Sequence, residues 1–198
     1  LPTQNEPTHP PHQPGVLELT RKAQPSKKVQ PKVLVLGNSN TRGLSKGLID
    51  RGIDCSAFVY PGRTTKQIQS RVNIISKGMQ QNSRPNAVLV HTGDIEIRDN
   101  SNSVNNVTSH IEQLVSELKR TFPYAKLLLS SLPRTKQNHH LNEKISQMNN
   151  AIERLCKNSD VSYICNKDAK LVKDNIHMTA QSKDFVARSA AHIVKRCV

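Results

Sequence analysis

Tryptophan is absent from these 198 residues, and phenylalanine and tyrosine number three each. So few rings exclude an aromatic core, and they leave little for the base-stacking platforms that commonly grip single-stranded nucleic acid. No two of the four cysteines (Cys55, Cys156, Cys165, Cys197) stand at C-x-x-C spacing. That argues against a disulfide framework or a zinc site and points to reduced, buried thiols in an intracellular protein, cytoplasmic or nuclear. No apolar run approaches the roughly 18 residues of a membrane span, and no signal-peptide core is visible. The first residue is Leu rather than Met, so the chain reads as a fragment or processed product. The sequon Asn106-Val107-Thr108 carries little weight without a targeting segment ahead of it. Glycine is also sparse, with eight residues. Gly37 and Gly43 do not complete G-x-G-x-x-G and no G-K-[ST] follows, which excludes dinucleotide and P-loop phosphate sites.

Acidic residues are outnumbered too, 15 against 29 basic, for a net charge of +14. Residues 1–31 place Glu6 and Glu18 against Arg21, Lys22, Lys27 and Lys28, a net +2, so +12 belongs to the remainder. A field of that sign attracts polyanions such as nucleic acid, an anionic lipid surface or acidic substrates. No basic block exceeds two residues, however, and a solvated surface kept for solubility explains the charge equally well.

Residues 1–31 hold seven of the eleven prolines and no periodic apolar pattern. Such a segment buries too little surface to offset chain entropy, and it is expected to be a disordered tail or linker ahead of a single domain over 32–198. In that domain the pattern alternates. Val33-Leu34-Val35-Leu36 is continuously apolar, as a strand buried on both faces would be. Further strands are expected at Cys55–Tyr60, Ala87–Val90, Leu127–Leu129 and Val161–Cys165. Helices are expected over Leu44–Arg51, along the stripe Ile68, Val72, Ile75 and Met79, and along Ile111, Leu114, Val115 and Leu118. Two more follow, along Leu141 to Leu155 and from Phe185 to Val194. Regular alternation implies right-handed crossovers and a three-layer α/β/α domain with a five-stranded parallel sheet, in the flavodoxin-like order 2-1-3-4-5.

In such sheets chemistry gathers beyond the carboxyl ends of the strands. Those positions carry Gly37-Asn38-Ser39, Pro61-Gly62-Arg63, His91-Thr92-Gly93-Asp94-Ile95-Glu96, Ser131-Leu132-Pro133-Arg134 and Asp174-Asn175-Ile176-His177. A serine there needs a base within hydrogen-bond reach, and a carboxylate three residues before a histidine can hold the imidazole tautomer that such a base requires. Each signal alone is weak, since a serine after a strand is commonly a cap. Their order and their shared place at strand ends carry the reading.

The set resembles the SGNH (GDSL-like) hydrolases, which carry G-D-S after the first strand, a Gly after the second, G-x-N-D after the third and D-x-x-H before the final helix. The Ser-Leu-Pro-Arg run and the Asn-rich helix containing Asn149 are similar to members acting on acetyl groups, and comparable esterase-like domains occur in retrotransposon reading frames. The resemblance spans residues 32–196. It implies Ser39 as nucleophile, His177 as base and Asp174 as its orienter, with the Ser39 and Gly62 N–H groups as oxyanion donors. It implies a serine esterase releasing a small acyl group, such as acetyl, through an acyl-enzyme, with no cofactor.

Two positions depart from the pattern. The usual block-three Asn falls on Ile95, which has nothing to donate, or with a one-residue deletion on Asp94, whose carboxylate would repel an oxyanion. Asn38 replaces the usual Asp before the nucleophile. The alternative is therefore a catalytically impaired, basic domain on the same fold that binds nucleic acid or another polyanion. Arg42, Arg63, Lys66, Arg98, Arg134 and Lys136 all follow strand ends and are expected at the site mouth, with Arg42, Arg63 and Arg134 the leading candidates for an anionic substrate. His91 reads as structural. The His139-His140 pair lacks partners at ligand spacing, so no metal site is expected.

Overall fold

The computed structural model describes residues 30–136 and 138–197. The Pro-rich segment 1–31 therefore lies, except for Gln30 and Pro31, outside the described residues.

Five parallel strands, β1 (Lys32–Gly37), β2 (Asp54–Val59), β3 (Ala87–His91), β4 (Lys126–Ser130) and β5 (Ser162–Ile164), pair in the order β2-β1-β3-β4-β5. The sheet is the one anticipated from the alternating pattern. Its central strands are apolar at nearly every position because both faces are covered. Leu34, Leu36, Val88 and Val90 point into one core with Leu127 and Leu129. Val33, Val35, Ala87, Leu89 and Leu128 point into the other.

The first core is closed by α2 (Thr65–Gln69), α3 (Val72–Gly78), α5 (Val104–Thr121) and α6 (His139–Asn158), the second by α1 (Leu44–Ile49) and α7 (Ala180–Arg196). Ile111, Leu114, Val115 and Leu118 form the buried stripe of α5, and Ile145, Met148 and Ile152 that of α6.

Three details differ from the sequence reading. The expected helix over Ile68–Met79 is two short helices. The α2 hydrogen bonds end at Ser70, and Arg71 caps α3, so one apolar stripe spans a break. The polar stretch after β3 contains a further helix, α4 (Asp94–Arg98), which turns Asp94, Glu96 and Ile97 inward. Finally, only Cys156 is fully buried, while Cys165 and Cys197 are exposed. Cys165 follows the edge strand β5 and Cys197 the last turn of α7, positions with only partial cover. Burial pushes the Cys55 and Cys156 thiols up to about 11, with Asp54 and Glu153 adding to the shift, so both stay protonated and unreactive near neutrality.

Among the described residues no helix is long and apolar enough to cross a membrane, and no three His, Cys, Asp or Glu side chains form a group that could hold a metal ion.

Candidate active site

Strand β1 ends against β3 so closely that only glycine fits at its last position. A Cβ on Gly37 would meet the His91 carbonyl and lie 2.5 Å from Thr41 Cγ2. The Asn38 N–H donates to that carbonyl (3.3 Å), and the chain then turns through a single 3-10 turn, Ser39–Thr41. The first α-helix, α1, begins only at Leu44. Asn38 caps the turn by accepting the Asn40 N–H at 3.0 Å, which leaves Ser39 half-buried at the rim between two wholly buried asparagines.

The opposing loop lies before α7. Leu171 and Met178 form an isolated antiparallel bridge, the Val172 N–H donates to the His177 carbonyl (2.8 Å), and the Thr179 N–H to the Lys170 carbonyl (2.9 Å). Asn175 turns the loop in the left-handed region at φ 57°, a conformation Asn tolerates better than most residues. Asp174 Oδ1 accepts the Ile176 and His177 N–H groups (2.9 and 3.0 Å), and its Oδ2 lies 2.6 Å from His177 Nδ1. His177 Nε2 lies 2.9 Å from Ser39 Oγ.

These contacts fix the protons. The bond from His177, joined by the two backbone N–H bonds, holds the Asp174 carboxyl well below the usual carboxylate range. An ionised carboxylate only accepts, so His177 Nδ1 donates to it, which leaves Nε2 facing the Ser39 hydroxyl as the nitrogen that can accept its proton. The structure thus joins Ser39, His177 and Asp174, 138 residues apart at the widest, in one hydrogen-bonded line.

Gly62 sits in the exposed turn after β2 with φ 70°, a backbone state that favours glycine. Ile95 is half-exposed on the first turn of α4. Asp94 is 4% exposed and its oxygens are already engaged: Oδ1 accepts from Asn38 Nδ2, and Oδ2 from Asn40 Nδ2 at 3.0 Å. In this arrangement its charge is met by two amides.

The arginines expected at one mouth line three separate depressions. Arg42 shares one with Lys46 and Lys183 and with the acidic Asp50 and Asp184, Arg63 another with Tyr60, Gln67 and Arg71, and Arg134 a third with His139, Glu143 and Ser146. Lys183, which sequence reading passed over, is held below its ordinary pKa by burial and then by the nearby Arg42 charge. Arg98 reaches the loop before α7 and donates to the Asn175 carbonyl (3.3 Å). Asn149 is buried. Its side chain pins Leu132 by pairing with both that residue's N–H (2.7 Å) and its carbonyl (2.9 Å).

Two further polar groups are buried at the rim, Glu96, which went unread in the sequence, and His91, which was read as structural. Glu96 Oε2 accepts the Thr65 N–H (2.7 Å) and the Thr65 hydroxyl, while Oε1 lies 2.9 Å from His110 Nδ1, which ties α4 to the start of α2 just beyond Gly62. His91 is 1% exposed, with Nδ1 3.2 Å from Ser130 Oγ and, among the described residues, no partner for Nε2. A Glu within a polar stretch gave no periodic signal by which to find it.

No protein-family model matches the chain, and no curated protein matches it. Solved structures do. A carbohydrate acetylesterase from Sinorhizobium meliloti aligns with a TM-score of 0.71 at 14% identity, over 85% of this chain and 100% of that one. A GDSL-like lipase from Bacteroides thetaiotaomicron aligns at 0.69 and 18% identity, over 89% and 93%. An aryl esterase from M. smegmatis aligns at 0.68 and 15% identity, over 85% and 100%. Likeness at such low identity concerns the fold.

Proposed function

We propose that this domain, which has the α/β/α fold of the SGNH hydrolases, is a serine esterase that hydrolyses a small acyl ester, acetyl in the simplest case, through an acyl-enzyme. The observation that carries the proposal is the continuous hydrogen-bonded line from Ser39 Oγ through His177 to Asp174 at 2.9 and 2.6 Å. The solved esterases and acylhydrolases on the same fold support it.

In this reading Ser39 Oγ attacks the ester carbonyl as His177 Nε2 takes its proton. The Ser39 and Gly62 N–H groups stabilise the oxyanion. His177 then returns the proton to the leaving alcohol, and an activated water releases the acid from Ser39. Asp174 stays ionised throughout and holds the imidazolium. The half-buried serine and exposed carboxylate form a shallow site, which suits a short acyl group. Ile95 supplies no side-chain donor, and loss of one oxyanion donor typically costs ~10²–10³-fold in rate, so slow turnover is expected. Arg42, with Lys183 beside it, is the arginine best placed to favour an anionic acyl ester, while Arg63 and Arg134 would act at the periphery.

Hydrolysis of an aryl acetate by the unaltered protein, beside Ser39→Ala, tests the proposal. Release of the phenol that disappears in the variant supports it. Equal rates in the two proteins would refute a serine mechanism on that substrate.

A further inference from the structure

The two loops that carry Ser39 and His177 are far apart in sequence and belong to different layers, yet their reacting atoms meet at 2.9 Å. Something has to hold that distance, because a half-buried His–Ser contact between two rim loops has little packing of its own. Three wholly or almost wholly buried side chains lie directly beneath it. Asp94, at the start of α4, accepts one amide on each oxygen: Asn38 Nδ2 on Oδ1 and Asn40 Nδ2 on Oδ2. These are the residues on either side of Ser39. Asn40 then reaches across to the other loop. Its Oδ1 accepts the Met178 N–H at 2.8 Å, and its Nδ2 also donates to the Ile176 carbonyl at 3.2 Å. These are the residues on either side of His177.

The chemistry of the three groups suits the task. A buried carboxylate cannot remain charged without donors, and here the two amides supply them. Satisfying that charge fixes the flip of both asparagines. With Nδ2 committed to Asp94, Asn40 Oδ1 must face the Met178 N–H, which is a donor. An alanine at 40 would leave that N–H and one carboxylate oxygen unmet in a site closed to water. Asn38 is fixed in the same sense, so that its Oδ1 caps the serine turn.

We propose that Asp94 and Asn40 are positioning residues that form a buried clamp, locking the serine turn and the histidine loop at reacting distance without touching substrate. The proposal rests on the reading of Ser39 as nucleophile. It assigns to Asp94 the fixing of the nucleophile in place of any direct part at the oxyanion, and it makes Asn40, the residue after the serine, a determinant of rate that never meets substrate.

Reactivity on this account depends on geometry, and misplacement by about 1 Å can cost on the order of 10²-fold. The test uses two readouts on Asn40→Ala, Asp94→Asn and the exchanged pair N40D/D94N. One is the rate of Ser39 phosphonylation by a fluorophosphonate. The other is the low-field proton NMR signal of the His177 Nδ1–H bonded to Asp174, which needs no turnover. Leu118→Ala, a core change near the opposite end of the sheet, controls for lost stability.

The clamp predicts that both single variants label roughly 10- to 100-fold more slowly and that the His177 signal broadens or vanishes. Leu118→Ala should change neither readout per folded molecule. In the exchanged pair the amide at 94 can again meet a carboxylate at 40, which still accepts the Met178 N–H. Only the donation to the Ile176 carbonyl is lost, so partial recovery of both readouts is expected. An Asn40→Ala protein that labels at the unaltered rate with an unchanged His177 signal would overturn the clamp. So would an exchanged pair no better than Asp94→Asn. If the single variants do not fold, the exchanged pair alone decides. If the unaltered protein resists the label, the esterase reading fails, and the His177 signal still decides whether Asn40 and Asp94 hold that loop.

Discussion

The middle of the sheet and its carboxyl-terminal rim are built from opposite materials. In the middle, Val33 to Leu36, Ala87 to Val90 and Leu127 to Leu129 bury aliphatic side chains on both faces. At the rim, within a few residues, Asn38, Asn40, Thr65, His91, Asp94, Glu96, Ser130 and Asn166 are buried and polar. Aliphatic burial is non-directional and roughly proportional to area, so it supplies stability and tolerates repacking. Buried hydrogen bonds add little net stability each but are costly to leave unmade, so they fix geometry. The comparison assigns stability to one region and the placing of reactive groups to the other.

The sharpest way to break that division is at its two extremes. Ser39→Ala should remove turnover by about 10⁴-fold or more while changing stability by less than ~0.5 kcal/mol, because the serine is half-buried and packs little. Denaturant titration beside the acetate assay reads both. Leu118→Ala, in the first core, should do the reverse. A fully buried leucine truncated to alanine costs about 2–5 kcal/mol, yet the rate per folded molecule should hold. Large coupled effects in either variant would dissolve the distinction.

Glu96→Gln probes the rim's interior. Glu96 serves Thr65 through one oxygen and His110 through the other, and an amide cannot accept at both positions. The amide oxygen can keep the Thr65 donors while its NH2 turns to His110 Nδ1, so the charge-assisted bonds become neutral ones; a loss of about 1 kcal/mol is expected, with a slower rate if the Gly62 turn shifts with α2. Thermal melts and the acetate assay would separate the two consequences.

The smallest effect concerns pH. Burial holds the His91 pKa below its ordinary value near 6.5, only partly offset by Asp94 and reinforced by Lys183. Its folded pKa is depressed, so the unfolded chain binds the proton first. Stability from neutral His91 is full above about pH 6.5 and declines as pH falls toward the folded value. The melting temperature of the unaltered protein should drop through that window, and His91→Gln should flatten the drop. An unchanged slope would place the acid sensitivity elsewhere.

The sequence made the apolar region easier to read than the polar one. Continuous β-branched and leucine runs announce strands buried on both faces, and the stripe along α5 announces its helix, so sheet order and layers followed. The strand-end rule and the family resemblance brought Ser39, Asp174 and His177 to one edge. What stayed illegible was direction. Nothing in Gly93-Asp94-Ile95-Glu96 says that α4 begins there or that both carboxylates turn inward, because five polar-rich residues are too short for a periodic signal. The stripe from Ile68 to Met79 hides the break at Ser70 because the apolar spacing continues across it. The arginines at strand ends share a layer but diverge over three depressions, which depends on side-chain direction rather than sequence position.

The most direct test of the central claim, that the rim holds an activated serine, is peptide mass spectrometry after fluorophosphonate treatment near neutral pH. The account predicts a single adduct on Ser39, lost in His177→Ala and strongly reduced in Asp174→Ala. No adduct on Ser39, or one that persists undiminished in His177→Ala, would contradict it.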